Sequence, residues 1–105
     1  MTRPVLHSPL DAMLLALLRA EPGHGYALIG RLREASGGAF DLPEGTIYPA
    51  LQKLEAEGEV MSDWRPAGGR RRRVYWLSER GRAALETGQA RWRRYKAAVD
   101  AVIAT

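Results

Sequence analysis

Residues 43–77 combine a short helix pattern with a hairpin pattern, and they constrain the fold more than any other part of the chain. The segment PEGTIYPALQKLEAEG carries apolar residues at helical spacing and ends at Gly58. Two runs rich in strand-forming residues follow at 60–65 and 72–77, and residues 66–69 (Pro-Ala-Gly-Gly) join them. This order predicts a helix followed by an antiparallel hairpin with a turn over 66–69.

Four consecutive arginines, residues 70–73, follow the predicted turn and lead into the second predicted strand. The 105-residue chain has a net charge of +4, with 16 Lys and Arg against 12 Asp and Glu. Seven of its arginines fall between Arg65 and Arg82, whereas a general bias toward arginine would spread them evenly. A basic patch confined to one segment is typical of a surface that binds phosphate groups.

Three more helices are predicted around this segment. Ser8-Pro9 is a favourable start for the first helix, and Glu21-Pro22-Gly23 ends it. A second helix covers 24–36 with His24 at its start, and a last helix runs from Ser78 to about residue 103. We expect residues 1–7 to form a loose arm.

Proline at position 49 limits how the third helix can begin. A proline inside a helix lacks the backbone N–H that the helix needs, whereas one in the first turn costs little. The regular helix therefore starts either near Gly45-Thr46, or at Pro43 with a bend at Pro49.

These elements predict a mainly α fold with a small β-hairpin (α+β), namely a winged helix-turn-helix. We expect the DNA-binding part to cover residues 1–77 and a C-terminal dimerisation helix to cover 78–105, within one compact domain.

Several motifs in this order resemble the PadR family of bacterial transcriptional regulators, over roughly residues 14–85. The matching motifs are His24-Gly25-Tyr26, Gly45-Thr46-Ile47-Tyr48-Pro49-Ala50-Leu51, Leu54-Glu55-x-x-Gly58, Trp64, Gly69-Arg70-Arg71 and Tyr75-x-Leu77-Ser78-x-x-Gly81. The resemblance implies that the Gly-Thr-x-Tyr-Pro segment begins the recognition helix.

The candidate DNA-binding residues lie on the third helix and at the hairpin tip. They are Thr46, Tyr48, Pro49, Gln52 and Lys53 on the helix, and Gly69, Arg70, Arg71, Arg72 and Arg73 on the hairpin. Glutamine can pair with adenine, and arginine binds phosphate. Since strand side chains alternate, we expect Arg70 with Arg72, or Arg71 with Arg73, to do most of the binding. The alternative is an ordinary solvated face with Tyr48 packed under the hairpin.

Apolar and small residues recur on the last helix at spacings of three and four, which is typical of a coiled-coil seam. With three leucines of the first helix, they are the candidate dimer or ligand residues: Leu14, Leu17, Leu18, Leu85, Gly88, Trp92, Tyr95, Val99 and Val102. Trp92 is either a packing residue of the dimer or a stacking platform for a flat ligand. The resemblance supports the ligand, because some short PadR-like proteins bind planar aromatic or cationic compounds at the dimer interface.

We therefore expect a cytoplasmic homodimer that binds double-stranded DNA as a sequence-specific regulator, a repressor at an inverted repeat, with an aromatic small molecule as candidate effector. The alternatives are a small-molecule-binding or protein-interaction dimer without operator specificity, and a protein that coats DNA without a defined site. Without cysteines or a recognisable catalytic arrangement, we expect no enzyme, cofactor or metal site. The longest apolar run, residues 12–18, is too short to span a membrane.

Overall fold

The computed structural model describes residues 8–105, so the arm expected at 1–7 lies outside the described residues. Its elements in chain order are α1 (Pro9–Ala20), β1 (Gly23–His24), α2 (Gly25–Ala35), α3 (Glu44–Ala56), β2 (Val60–Ala67), β3 (Arg70–Leu77) and α4 (Glu79–Ile103). The strands form an antiparallel sheet in the order β1-β3-β2. The predicted winged helix-turn-helix is confirmed.

The N-terminus of α1 is closed by a reciprocal pair of hydrogen bonds. Ser8 Oγ accepts from the Asp11 backbone N–H at 3.2 Å, and the Ser8 N–H donates to Asp11 Oδ2 at 3.3 Å. Pro9 follows at the position where a missing N–H costs nothing. The cap therefore fixes where α1 begins and also places a carboxylate, Asp11, on its buried face.

The core lies between α1, α2, α3 and the inner face of the sheet. Its buried apolar side chains are Leu14, Leu15, Leu18, Leu28, Leu32, Ile47, Leu51, Leu54, Val60, Tyr75, Leu77 and Leu85. The assignment of Leu14 and Leu18 to a dimer or ligand surface was therefore wrong, since both are buried within their own subunit. Leu17 is half-buried against the same core.

The hairpin is longer and its turn tighter than predicted. Pro66 and Ala67 belong to β2, where they lie opposite Arg71 and Arg70, and only two glycines turn the chain. Gly68 and Gly69 have φ of 62° and 79°, as two-residue hairpin turns require. Pro66 is tolerated because β2 is an edge strand. The expected turn over four residues was therefore wrong.

The strand β1 was not predicted, because two residues carry no alternation pattern. Gly23 pairs with Tyr75, and His24 pairs with Val74, so the residues just before α2 are held against the inner strand of the hairpin. Helix α3 begins at Glu44, which places Pro49 in its second turn rather than its first.

Helix α4 packs on the domain through its first turns and then leaves it. Gly81 sits so close to the hairpin base that a Cβ there would lie 2.0 Å from the Glu59 carbonyl oxygen. From residue 91 onward nearly every side chain is exposed. At 1.5 Å per residue, its 25 residues extend about 37 Å. No helix within residues 8–105 is long and apolar enough to cross a membrane.

Candidate nucleic-acid interface

Helix α3 is divided into a buried side and an exposed side. Its buried side chains, Ile47, Leu51 and Leu54, enter the core. Thr46, Pro49 and Gln52 are exposed at spacings of three, so they lie along the side that faces away from the core. This side can approach another molecule without disturbing the packing of the helix.

Tyr48 is half-buried, because its ring packs on the first residue of α2. A Cβ added at Gly25 would lie 2.5 Å from Tyr48 Cε1, so only glycine leaves room for the ring in this position. The contact joins α3 to the start of α2. It gives Tyr48 a structural role in addition to any contact with DNA.

Lys53 differs from its neighbours because a carboxylate already binds it. Its Nζ donates to Asp11 Oδ2 at 2.8 Å, and the Asp11 side chain is only 3% exposed. This hydrogen bond raises the pKa of Lys53 above its usual value. The ammonium therefore stays charged, and its ion pair with Asp11 joins α3 to α1. This structural role weakens the expectation that Lys53 serves mainly to bind DNA.

The β2–β3 hairpin is the wing of the fold, and its four consecutive arginines fall into two pairs, Arg70 with Arg71 at the tip and Arg72 with Arg73 further from the turn. Arg70 and Arg71 follow the turn, are exposed and form no ion pair within residues 8–105. The guanidinium of Arg72 lies 5.9 Å from the centre of the Tyr26 ring. On the opposite face, Arg73 Nε donates to Ser62 Oγ at 2.8 Å.

Ser62 connects Arg73 to the third helix. Its hydroxyl donates to the Glu55 carboxylate, and Arg73 itself lies 3.8 Å from the same oxygen. The arginine side chains alternate between the two faces of the strand, as expected. Because of this alternation, Arg72 contacts Tyr26 of α2, and Arg73 contacts Glu55 of α3. The geometry therefore favours Arg70 together with Arg71, in place of the expected alternate pairs.

The segment His24-Gly25-Tyr26 starts α2, as predicted for His24, but sequence reasoning missed that it also joins α2 to its neighbours. His24 Nδ1 accepts from the Ala27 N–H at 3.1 Å and so caps α2. Burial, and then the charges of Arg72 and Arg31, lower the pKa of His24. Together with the contacts of Gly25 with Tyr48 and of Tyr26 with Arg72, the segment joins α2 to both α3 and the wing.

A groove of about 560 Å³ lies between α1 and the middle of α4. Its α4 side carries Gly88, Trp92 and Tyr95, and the Trp92 and Tyr95 rings stack with centroids 5.9 Å apart. A Cβ at Gly88 would lie 3.7 Å from Ala12 Cβ, so the two helices approach closely there.

The opposite wall of this groove differs from the one expected. It is formed by Ala12, Met13 and Ala16 of α1, and Met13 and Ala16 also pack, partly buried, against the core. Leu14 and Leu18 are buried in the core and Leu17 packs half-buried against it, so none of these three lines the groove. Leu85 of α4 is buried and does line it. Val99 and Val102 lie beyond the groove on the exposed part of α4.

Comparisons with known proteins agree with this geometry. The model of the transcriptional regulator PadR-like family matches residues 14–87. The transcriptional regulator Rv3488 of Mycobacterium tuberculosis is 45% identical over 53 residues, which is 50% of this chain and 50% of that protein.

Two solved structures extend the similarity to most of the fold. A PadR family transcription regulator from Clostridium difficile matches with a TM-score of 0.81 and 28% identity, covering 91% of this chain and 99% of that chain. Bacillus subtilis PadR in complex with operator DNA matches with a TM-score of 0.70 and 26% identity, covering 78% of this chain and 47% of that chain. Since the family match covers more than half of the sequence, the chain belongs to the PadR-like family of transcriptional regulators, which are not enzymes.

Proposed function

We propose that this chain is a sequence-specific DNA-binding repressor that acts in the cytoplasm as a homodimer on an inverted-repeat operator. The observations that carry the proposal are the exposed side of α3 and the two exposed arginines at the wing tip, which form no ion pair within residues 8–105. In winged helix-turn-helix proteins such a helix enters the major groove. The Bacillus subtilis relative, whose structure contains operator DNA, supports the same use of the fold.

The contacts of the candidate residues on α3 and the wing indicate that some of them meet DNA and that others hold those residues in position. Thr46, Pro49 and Gln52 are free to meet base edges, because they are exposed on one side of α3. Arg70 and Arg71, with the Gly69 backbone, meet phosphates at the wing tip.

The remaining candidate residues position these groups. Tyr48 and Lys53 hold α3 against α2 and α1, and Arg72 and Arg73 hold the wing against α2 and α3. We therefore expect their replacement to weaken binding through a change of geometry rather than through a lost base contact.

The salt dependence of DNA affinity tests the nucleic-acid assignment. A dimer that neutralises on the order of 6–10 phosphates should lose about 10³–10⁵-fold in affinity between 50 and 200 mM salt. The measurement is fluorescence anisotropy with a labelled duplex at each salt concentration. An affinity that does not change with salt would show that phosphate contacts do not drive binding, and the assignment would fail.

The dimer is supported by the apolar residues on the free part of α4. Val102 and Ile103 are 72% and 75% exposed, and Tyr95 is 64% exposed. Tyr95 stacks on Trp92, but within residues 8–105 Val102 and Ile103 leave most of their surface uncovered, and a second α4 would cover it. Two-fold symmetry would then place the two α3 helices about one DNA turn apart, which matches an inverted repeat.

The groove between α1 and α4 supports a ligand that regulates DNA binding. Trp92 is 53% exposed and stacked with Tyr95, so an indole face is available to a flat aromatic guest. Arg91 also lines the groove, which favours a neutral or anionic compound over a cation. Helix α1 connects the two sites, because its opposite face carries Asp11, which holds Lys53 of α3.

A ligand titration distinguishes this effector from a purely structural role of Trp92. Planar neutral and anionic aromatics should quench the fluorescence of the native protein in a saturable way, and Trp92→Ala should remove that response. Trp64 and Trp76 remain in the variant as background. Equal quenching of both proteins would assign Trp92 to packing. Saturable quenching without any effect on DNA affinity would show that the groove binds a compound that does not regulate DNA binding.

A further inference from the structure

A second groove lies where the end of α1, the base of the hairpin and the first turns of α4 meet. Its volume is about 350 Å³. Three arginines from these three elements line it, namely Arg19, Arg65 and Arg82, and Trp76 with apolar neighbours forms part of its wall. None of the wing-tip residues and none of the exposed α3 residues belongs to this groove.

The three arginines have no acidic partner within residues 8–105. One carboxylate, that of Glu21, also lines the groove, but Arg31 binds it at 2.7 Å from outside the groove. Arg31 is held in that position because it also donates to the Glu21 and Pro22 carbonyl oxygens, at 3.0 and 2.9 Å. The charge of Glu21 is thus already balanced, and the groove keeps an excess of positive charge.

Arg65 is oriented toward this groove rather than toward the wing tip. Its guanidinium carbon lies 4.8 Å from the centre of the Trp76 ring. In the hairpin register Arg65 is opposite Arg72, and Trp76 lies four residues further along β3. At about 3.3 Å per residue, Trp76 is therefore about 13 Å further from the wing tip than Arg72 is. Stacking on the ring face leaves the N–H groups at the guanidinium edge free to donate.

We propose that this groove binds the phosphate dianion of a small phosphorylated compound. Guanidinium groups match phosphate oxygens in shape and charge, and a dianion can offset two of the three positive charges. The distance from the wing tip separates this site from the proposed DNA interface, so the proposal does not depend on DNA binding. A bound phosphate would connect α1, the wing and α4 in one place.

The test uses Trp76 as the reporter in a variant that lacks the other two tryptophans, Trp64→Phe/Trp92→Phe. Both replaced side chains are half exposed, at 52% and 53%, so the variant should fold. Inorganic phosphate and pyrophosphate are titrated at constant ionic strength against sodium chloride. We expect a saturable change in fluorescence, with affinity reduced at least about tenfold by Arg19→Gln or Arg82→Gln.

Arg33→Gln provides the matched control, because it removes an equal charge from α2, outside the groove. A phosphate response no larger than that of chloride would overturn the proposal, as would equal weakening by Arg33→Gln. A thermal shift by phosphate in the protein with its three native tryptophans should saturate and should be lost in Arg82→Gln, which separates binding at this groove from the general stabilisation that phosphate salts give.

The DNA backbone is the other possible source of a phosphate at this site. If Arg82→Gln lowers DNA affinity as much as replacement of the wing-tip arginines, the groove belongs to the DNA interface and the small-ligand proposal is wrong. If phosphate binds to the groove and the protein has no affinity for DNA, the phosphate-site proposal holds and the proposed DNA-binding function fails.

Discussion

At the scale of single residues, Gly25 is a helix position where the structure leaves no room for a larger side chain. Most glycines in helices can be replaced by alanine with a gain in stability, since alanine is the better helix former. At Gly25 an added methyl would lie 2.5 Å from the Tyr48 ring, which has to move. The residue therefore sets how closely α3 approaches α2.

We expect Gly25→Ala to lower the free energy of unfolding by about 1–3 kcal/mol through this overlap and to weaken DNA binding. Urea unfolding and anisotropy measure the two effects. Gly30→Ala is the control in the same helix, because nothing lies within 4 Å of its added Cβ. Equal stability of the two variants would mean that Tyr48 does not pack where the structure places it.

The wing-tip arginines allow a second test at this scale. Replacing Arg70 and Arg71 by Gln removes two phosphate contacts per subunit and should reduce the slope of log affinity against log salt by about one per contact. Affinity should fall alike for all DNA sequences, since phosphates carry no sequence information. Arg93→Gln/Arg94→Gln removes the same charge from α4. A similar loss in both double variants would point to net charge rather than to the wing tip.

His24 should make the stability of the protein depend on pH. Burial first, and then Arg72 and Arg31, lower its pKa in the folded chain below the ordinary value of 6.5, and its Nδ1 caps α2 only when unprotonated. The contribution of His24 to stability is therefore present above about pH 6.5 and is lost as the pH falls through the lower folded pKa. Urea unfolding at about pH 7.5 and pH 5 should show this loss, and His24→Asn, which keeps a capping group, should reduce it. An unchanged pH dependence in His24→Asn would contradict the assignment.

At the scale of elements, the sequence was sufficient to predict that the four helices and the hairpin form, because each has a local signal, but not to predict the length of the two strands. Ser8-Pro9 marks the start of α1, the two glycines mark the hairpin turn, and Ser78 caps α4 by accepting from the Gly81 N–H. Strand β1 has no such signal, since only its pairing with β3 defines it.

The candidate site was harder to predict than the fold, because its side chains acquire partners only through tertiary contacts. The Lys53 ammonium is directed to Asp11, 42 residues earlier in the sequence. Arg73 is directed to Ser62, on the neighbouring strand. Similarly, Leu14 and Leu18 were assigned to a dimer or ligand surface, because the sequence alone does not show which leucines of α1 meet the core.

The proposed dimer can be tested by a single substitution in the exposed half of α4. Val99→Asp would place a charge in the proposed seam between two subunits, at a cost of several kcal/mol. We expect sedimentation to show a species near twice the chain mass of 11.6 kDa for the native protein and a monomer for the variant. Ala97→Asp is the control, since it lies on the opposite side of the heptad pattern. A native protein that sediments as a monomer would remove the seam from this interpretation.

At the scale of the whole molecule, α1 and α4 connect surfaces that have separate roles. Helix α4 begins at the hairpin base, lines the groove with Trp92 and continues into the proposed dimer seam. Helix α1 lines the same groove on one side and binds α3 through Asp11 and Lys53 on the other. A ligand that separates the two helices would therefore change the position of α3 relative to the dimer axis, and with it the spacing of the two recognition helices.

The most direct test of this interpretation is a footprint of the purified protein on the DNA upstream of its own gene. A dimer with two symmetry-related α3 helices should protect two half-sites whose centres lie about 10 base pairs apart, or a multiple of that spacing. The two half-sites should read as an inverted repeat, and excess unrelated DNA should leave the protection intact. Protection spread evenly along the DNA, and removed by unrelated DNA, would contradict sequence-specific regulation by this chain.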